Sequence, residues 1–120
     1  MSFNDYGERV RNNARRGIEL NEKQGNKCAT IVGKQRAQVL ASGGNVSLEV
    51  IKKMYLFLSR HQKNYDPNST TKCGTISYLL WGGPAALAWS RNKLRELGEI
   101  ELAEVGPKGG VKGSPKSDKA

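Results

Sequence analysis

The clearest helix signal in the chain lies at residues 46–60, which read VSLEVIKKMYLFLSR. Ser47 suits the N-cap position, because its hydroxyl can accept a hydrogen bond from a free backbone N–H of the first turn. Val46 and Ile51 have the spacing of a hydrophobic staple across that cap. Apolar side chains then recur over most of the helix circumference, which is typical of a central, buried helix. They are Leu48, Val50, Ile51, Met54, Tyr55, Phe57 and Leu58.

A helix is also predicted for residues 4–24, where one apolar stripe recurs at every fourth position. The stripe consists of Tyr6, Val10, Ala14 and Ile18. We expect Asn4 or Asp5 to cap the N-terminus of this helix. Gly25-Asn26 suits a left-handed C-terminal cap and ends it.

The other segments show shorter helical patterns. Residues 29–41 predict a helix of about three turns, although Gly33 weakens it, and Ser42-Gly43-Gly44-Asn45 ends it. Residues 66–71 have the composition of a loop. An apolar run at 76–81 stops at Gly82-Gly83-Pro84, and a further helix is predicted from Pro84 to Leu97, because Pro suits a first helical position.

We therefore predict an all-α fold, a compact bundle of roughly four to five short helices over residues 1–105. Residues 106–120 are rich in Gly, Pro and Lys and nearly devoid of apolar surface, so we expect a flexible basic tail. The predicted core residues are Val10, Ile18, Val32, Leu40, Ile51, Met54, Leu58, Leu79, Leu80, Leu87, Trp89 and Leu94.

The strongest bulk signal is the formal net charge of +9, from 20 Lys and Arg against 11 Asp and Glu. Such an excess attracts phosphate polymers and acidic protein surfaces. On the first helix, Arg9 and Arg16 share one face and Arg11 and Arg15 form an adjacent row. The predicted binding residues for nucleic acid or an acidic partner are Arg9, Arg11, Arg15, Arg16, Lys34, Arg36, Lys108, Lys112, Lys116 and Lys119. The open alternative is a solvated face, partly paired with Glu8, Glu19 and Glu22.

No cofactor, metal or catalytic site is predicted. Cys28 and Cys73 are the only cysteines, and the polar start of the chain, Met1 to Arg16, carries no secretory leader, so we expect reduced, buried thiols. Together with His61 they lack the close spacings of a metal site. No nucleophile lies beside a marked base, so no enzymatic activity is expected. No apolar run reaches the ~20 residues of a membrane span, so no membrane partner is expected.

The most distinctive stretch is Trp81-Gly82-Gly83-Pro84, followed by Trp89. Two adjacent glycines permit close backbone approach or dihedrals that are closed to other residues. The indoles pack in the core under one interpretation. Under the other, Trp81, Gly82, Gly83 and Trp89 form a protein-partner surface that is open to solvent.

Several motifs resemble a small module of tailed bacteriophages and prophages, which occurs beside or fused to head proteins such as the capsid-maturation protease. The motifs are Ala14-Arg15-Arg16-Gly17, the segment Val46 to Met54, Ser59-Arg60-His61, and Tyr78-Leu79-Leu80-Trp81-Gly82-Gly83. The resemblance covers roughly residues 11–97, and the tryptophan–glycine–glycine stretch is its most specific part. It implies a phage setting and association with the virion head. It implies no defined biochemical activity and no catalytic residues.

The leading functional hypothesis is a non-enzymatic structural or accessory protein of the virion head, bound in many copies or as a homo-oligomer. Its basic helix and tail would bind an acidic capsid surface or packaged DNA, after a stage in the host cytoplasm during infection. The alternative is a free DNA- or RNA-binding protein that acts in the infected cell. An inhibitor of a host defence enzyme stays open as a third hypothesis.

Overall fold

A computed structural model describes residues 2–100 of the chain. Its described part contains five α-helices: α1 (Gly7–Lys23), α2 (Ile31–Ser42), α3 (Leu48–Arg60), α4 (Cys73–Leu80) and α5 (Gly83–Glu96). A 3-10 turn at Gln62–Asn64 follows α3, and strands β1 (Ser2–Phe3) and β2 (Val46–Ser47) pair antiparallel. The all-α prediction is confirmed. The predicted tail, residues 106–120, lies outside the described residues.

The chain divides within α5 into two units, Met1–Ser90 and Arg91–Ala120. The first unit holds the four helices α1 to α4 and the start of α5. The second is described only to residue 100, where an ion pair joins Lys93 and Glu96 at 3.3 Å on the last turn of α5.

The helix ends follow the capping chemistry of the sequence, with one exception. The Ser47 hydroxyl accepts from the Val50 N–H at 3.2 Å, as predicted, and Gly25 and Asn26 both have positive φ after α1. The predicted cap at Asn4 or Asp5 is wrong, because α1 begins at Gly7, with Tyr6 in the cap position and no side-chain cap bond. The preceding residues are instead held by the β1–β2 pairing and by the Tyr6 hydroxyl, which donates to the Gly44 carbonyl at 2.6 Å.

Most of the predicted core is buried. The buried members are Val10, Leu40, Ile51, Met54, Leu58, Leu79, Leu80, Leu87 and Leu94, whereas Ile18 and Trp89 are half-buried. The prediction is wrong for Val32, whose side chain is 50% exposed. The buried side of α2 runs through Gly33, Ala37 and Leu40, and Val32 lies about 100° around the helix from Gly33.

The closest helix crossing lies between α1 and α4. Gly17 is buried, and a Cβ atom added there would lie 2.7 Å from the backbone nitrogen of Leu80. Only a residue without a side chain allows the two backbones to approach this closely. Two hydrogen bonds hold α4 in the same place: the Tyr78 hydroxyl donates to the Leu58 carbonyl at 2.9 Å, and the Ser77 hydroxyl donates to the Cys28 carbonyl at 2.6 Å.

The turn between α4 and α5 requires both of its glycines. Gly82 has φ +104° and Gly83 has φ +68°, a region that L side chains rarely adopt. A Cβ atom at Gly82 would also lie 2.4 Å from the Cβ of Ala86. The Asn13 side-chain amide of α1 donates to the Gly82 carbonyl at 2.9 Å. The turn is therefore a packed junction, and α5 begins at Gly83, one residue before the predicted Pro84.

The expectation of two reduced, buried thiols is wrong. Cys28 and Cys73 form a disulfide with a Cα–Cα distance of 4.8 Å, across 45 residues of sequence. Cys28 is buried, whereas Cys73 is exposed at the start of α4. The sequence offered no close cysteine spacing, because folding alone brings the α1–α2 connection beside the start of α4.

Replacement of Gly17 by alanine tests the close crossing of α1 and α4. Helix propensity alone would favour alanine by roughly 1 kcal/mol. The clash with the Leu80 backbone should outweigh this, so we expect a net loss of about 1–3 kcal/mol, as for other overpacked core sites. Urea denaturation of Gly17→Ala measures it, with exposed Arg16→Ala as the control within about 0.5 kcal/mol of wild type. A Gly17→Ala protein more stable than wild type would contradict the crossing.

The disulfide should contribute strongly to stability. The chain-entropy model gives about 4 kcal/mol for a loop closed across 45 residues. We expect a reductant to lower the denaturation midpoint of the wild type, and to leave that of the Cys28→Ser/Cys73→Ser double variant unchanged. Two thiols that react freely with a thiol reagent in the oxidised native protein would contradict the pairing.

Candidate functional site

The four arginines of α1 divide into two pairs with different surroundings. Arg11 forms an ion pair with Glu8, and Arg16 forms one with Glu19 at 3.7 Å, both between residues three apart on the helix. These pairs are exposed to solvent, where each contributes only about 0–1 kcal/mol. They nonetheless reduce the local positive field that a polyanion would meet. The predicted alternative, a face partly paired with its own carboxylates, is therefore present in part.

Arg9 and Arg15 form the other pair. Neither guanidinium has a carboxylate at ion-pair distance within the described part of the chain, and Arg15 donates to the Asn12 side-chain carbonyl at 2.7 Å. Both side chains are exposed. They are consequently the two α1 arginines whose guanidinium groups are available to bind an external anion.

On α2, Lys34 and Arg36 also have no carboxylate partner among residues 2–100. The guanidinium carbon of Arg36 lies 5.6 Å from the centre of the Trp81 ring, which is a cation–π contact. Its Nε is buried, without a hydrogen-bond partner in the described structure, and this burial lowers the pKa of Arg36 from its ordinary value. An arginine stays charged at neutral pH even so. The remaining predicted cations, Lys108, Lys112, Lys116 and Lys119, lie outside the described residues.

The predicted aromatic surface is not brought together as one patch. Gly82 and Gly83 are buried in the α4–α5 turn. Trp89 packs against Tyr6 edge to face, with ring centres 5.5 Å apart. Trp81 is half-buried and stacks on Phe57 of α3, with ring centres 4.6 Å apart and an angle of 17° between the planes. Trp81 alone of the four therefore joins a feature that the sequence did not reveal.

That feature is an open cavity of about 280 Å³ beside the Trp81–Phe57 stack. The first turn of α2 contributes Thr30 and Gly33 to its wall, and the connection before α2 contributes Lys27. The remaining lining residues are Cys28, Ala29, Phe57, Ser77, Leu80 and Trp81. None of the described residues that line the cavity is acidic. The cavity requires α2, α3 and α4 to meet, so no local sequence pattern could have indicated it.

Four cations lie in or next to the segments that form the aromatic part of this cavity. On α3, Lys53 precedes Phe57 by four residues and Arg60 follows it by three, so both are its neighbours on the helix surface. Arg36 lies on the Trp81 ring, and Lys27 lines the cavity itself. None of these four cations has an ion-pair partner within the described residues. We call Phe57, Trp81, Lys27, Arg36, Lys53 and Arg60 the aromatic–cationic patch.

The described residues include no group of three or more His, Cys, Asp or Glu that could hold a metal ion. Both cysteines are consumed by the disulfide, and His61 packs against Phe57 with ring centres 4.6 Å apart. Within the same residues, every helix is too short or too polar to cross a membrane.

Comparison with protein-family models, with curated proteins and with solved structures finds no match for this chain.

Proposed function

We propose that this protein is a non-enzymatic accessory protein of a phage virion head, which binds an acidic capsid surface or packaged DNA. The proposal rests on one observation. The chain has a net charge of +9, and several of its cations have no carboxylate partner among residues 2–100. Arg9, Arg15, Lys34 and Arg36 lack carboxylate partners among the described residues, so an external anion can take those contacts. Guanidinium groups bind phosphates and carboxylates with paired hydrogen bonds, which suits either partner.

The phage setting rests on the resemblance of the motifs. Two of these motifs have structural roles here: Gly17 permits the crossing of α1 and α4, and Gly82-Gly83 form the α4–α5 turn. These roles explain why this chain has glycine at those positions, and they say nothing of the partner. The choice of an acidic partner comes from the charge of the chain.

The disulfide supports a virion location over the alternative of a free nucleic-acid-binding protein in the infected cell. Disulfides persist at virion surfaces and in other oxidising surroundings, whereas cytosolic thiols are kept reduced. The Cys28–Cys73 bond therefore fits a protein that leaves the host cytoplasm with the released particle.

Quantitative mass spectrometry of purified particles tests the proposal. We expect the wild-type chain in many copies per particle, with the Cys28 and Cys73 peptides linked. The Arg9→Gln/Arg15→Gln variant should be incorporated less than Arg11→Gln/Arg16→Gln, because both lose the same charge but only the first pair lacks carboxylate partners. We expect the two variants to differ by about threefold or more. A threefold ratio corresponds to roughly half the smallest free energy that a hydrogen bond to a charged group usually contributes.

Particles without this protein would overturn the virion proposal. If the purified chain then bound duplex DNA with an affinity that fell steeply with salt, by about 0.9 logarithmic units per phosphate contact, the alternative would take its place. Equal incorporation of the two double variants would contradict the role assigned to Arg9 and Arg15.

A further inference from the structure

We infer that the cavity beside the Trp81–Phe57 stack is the docking site for an acidic peptide segment of a partner protein, with one apolar side chain inserted into the cavity. This inference rests on the proposed function, in which the partner is acidic. It adds the place of contact and the chemistry of the contacting segment.

The size and lining of the cavity favour a single side chain. Small-molecule sites usually enclose about 300–1,000 Å³, and this cavity, at about 280 Å³, lies just below that range. Phe57, Leu80 and Trp81 give it apolar walls. An aliphatic or aromatic side chain of a partner would therefore find room there and displace water from the apolar walls.

Exposed apolar side chains continue from the cavity onto the first turn of α2. Ile31 is 73% exposed and Val32 is 50% exposed, between the lining residues Thr30 and Gly33. Val32 also lies four residues before Arg36, so the two are neighbours on the helix surface. A docked segment would remove this apolar area from water, which stabilises a complex by roughly 25 cal/mol per Å².

Charge decides what surrounds the apolar anchor. Lys27 lines the cavity, Arg36 lies on the Trp81 ring, and Lys53 and Arg60 neighbour Phe57 along α3. None of the four has an ion-pair partner in the described chain, and none of the described lining residues is acidic. A neutral apolar peptide would leave these cations partly desolvated and unmatched, which costs free energy. Aspartate and glutamate side chains on either side of the anchor would match them.

The aliphatic residues distinguish a peptide from a single-stranded nucleic acid. Nucleobases bind such patches by stacking on aromatic rings. The rings in the cavity wall, Phe57 and Trp81, are half-buried and stack on each other. The exposed apolar side chains beside the cavity are Ile31 and Val32, which offer no ring to a base but pack well against another aliphatic group. The acidic peptide is therefore the favoured occupant, and a single strand is a competing outcome of the test.

Fluorescence anisotropy with the full oxidised chain tests the inference. The probe is a labelled peptide, Glu-Asp-Glu-Leu-Leu-Asp-Glu-Asp, with one control peptide in which Ser replaces both leucines and another in which Gln and Asn replace the acids. We expect the probe to bind about tenfold or more tightly than either control. Oligo-dT serves as the competitor.

Two protein variants give a matched comparison on the surface. Lys27→Gln should weaken the binding of the probe by about threefold, as expected for the loss of one solvent-exposed ion pair at the cavity wall. Lys23→Gln should leave it unchanged, because it removes the same charge from an exposed position at the end of α1, outside the cavity lining. Circular dichroism checks that both variants keep the fold.

The inference is overturned if Lys27→Gln binds the probe as tightly as Lys23→Gln does, or if the leucine-free peptide binds as tightly as the probe. It is also overturned if oligo-dT binds more tightly than the probe and displaces it, since the occupant would then be a nucleic acid. Failure of the probe with normal incorporation into particles removes this inference alone. Failure of both removes the proposed function as well.

Discussion

The close crossing of α1 and α4 is the constraint on which the described structure depends. At Gly17 the backbone of α1 approaches the backbone of α4 so closely that a single added carbon would lie 2.7 Å from the Leu80 nitrogen. Because Leu80 immediately precedes Trp81, this contact also determines where the indole lies. The hydrogen bonds of Tyr78 to α3 and of Ser77 to Cys28 hold α4 against its other neighbours. α4, which ends at Leu80, therefore has little freedom to shift.

The aromatic–cationic patch follows from this placement. Trp81 meets Phe57 from α3 and Arg36 from α2, and the cavity opens where these three helices come together. On α1, by contrast, part of the positive charge is matched internally by Glu8 and Glu19. The positive field of α1 is therefore weaker than its four arginines suggest. The cations near Trp81 have no such carboxylate partners among the described residues.

The sequence predicts the local structure well because the signals for helix ends are local. Ser47 caps α3 and Gly25-Asn26 follow α1, since each needs only the chemistry of a few adjacent residues. The prediction fails for Val32, because the weak helical period of α2 does not indicate which side of that helix is covered. The disulfide and the cavity both depend on contacts between distant segments, so no spacing in the chain could indicate them. The tryptophan–glycine–glycine stretch is distinctive in the sequence, and in the structure its two glycines form the packed turn between α4 and α5.

We propose that an acidic partner contacts the protein at Trp81. The two tryptophans provide an internal comparison, because Trp81 lines the cavity whereas Trp89 packs against Tyr6. In a ¹⁵N NMR titration with the acidic leucine peptide, we expect the indole N–H signal of Trp81 to shift and that of Trp89 to stay in place. The Trp81→Phe variant assigns the two signals. A Trp81 signal that does not move while the peptide binds would show that the peptide docks elsewhere.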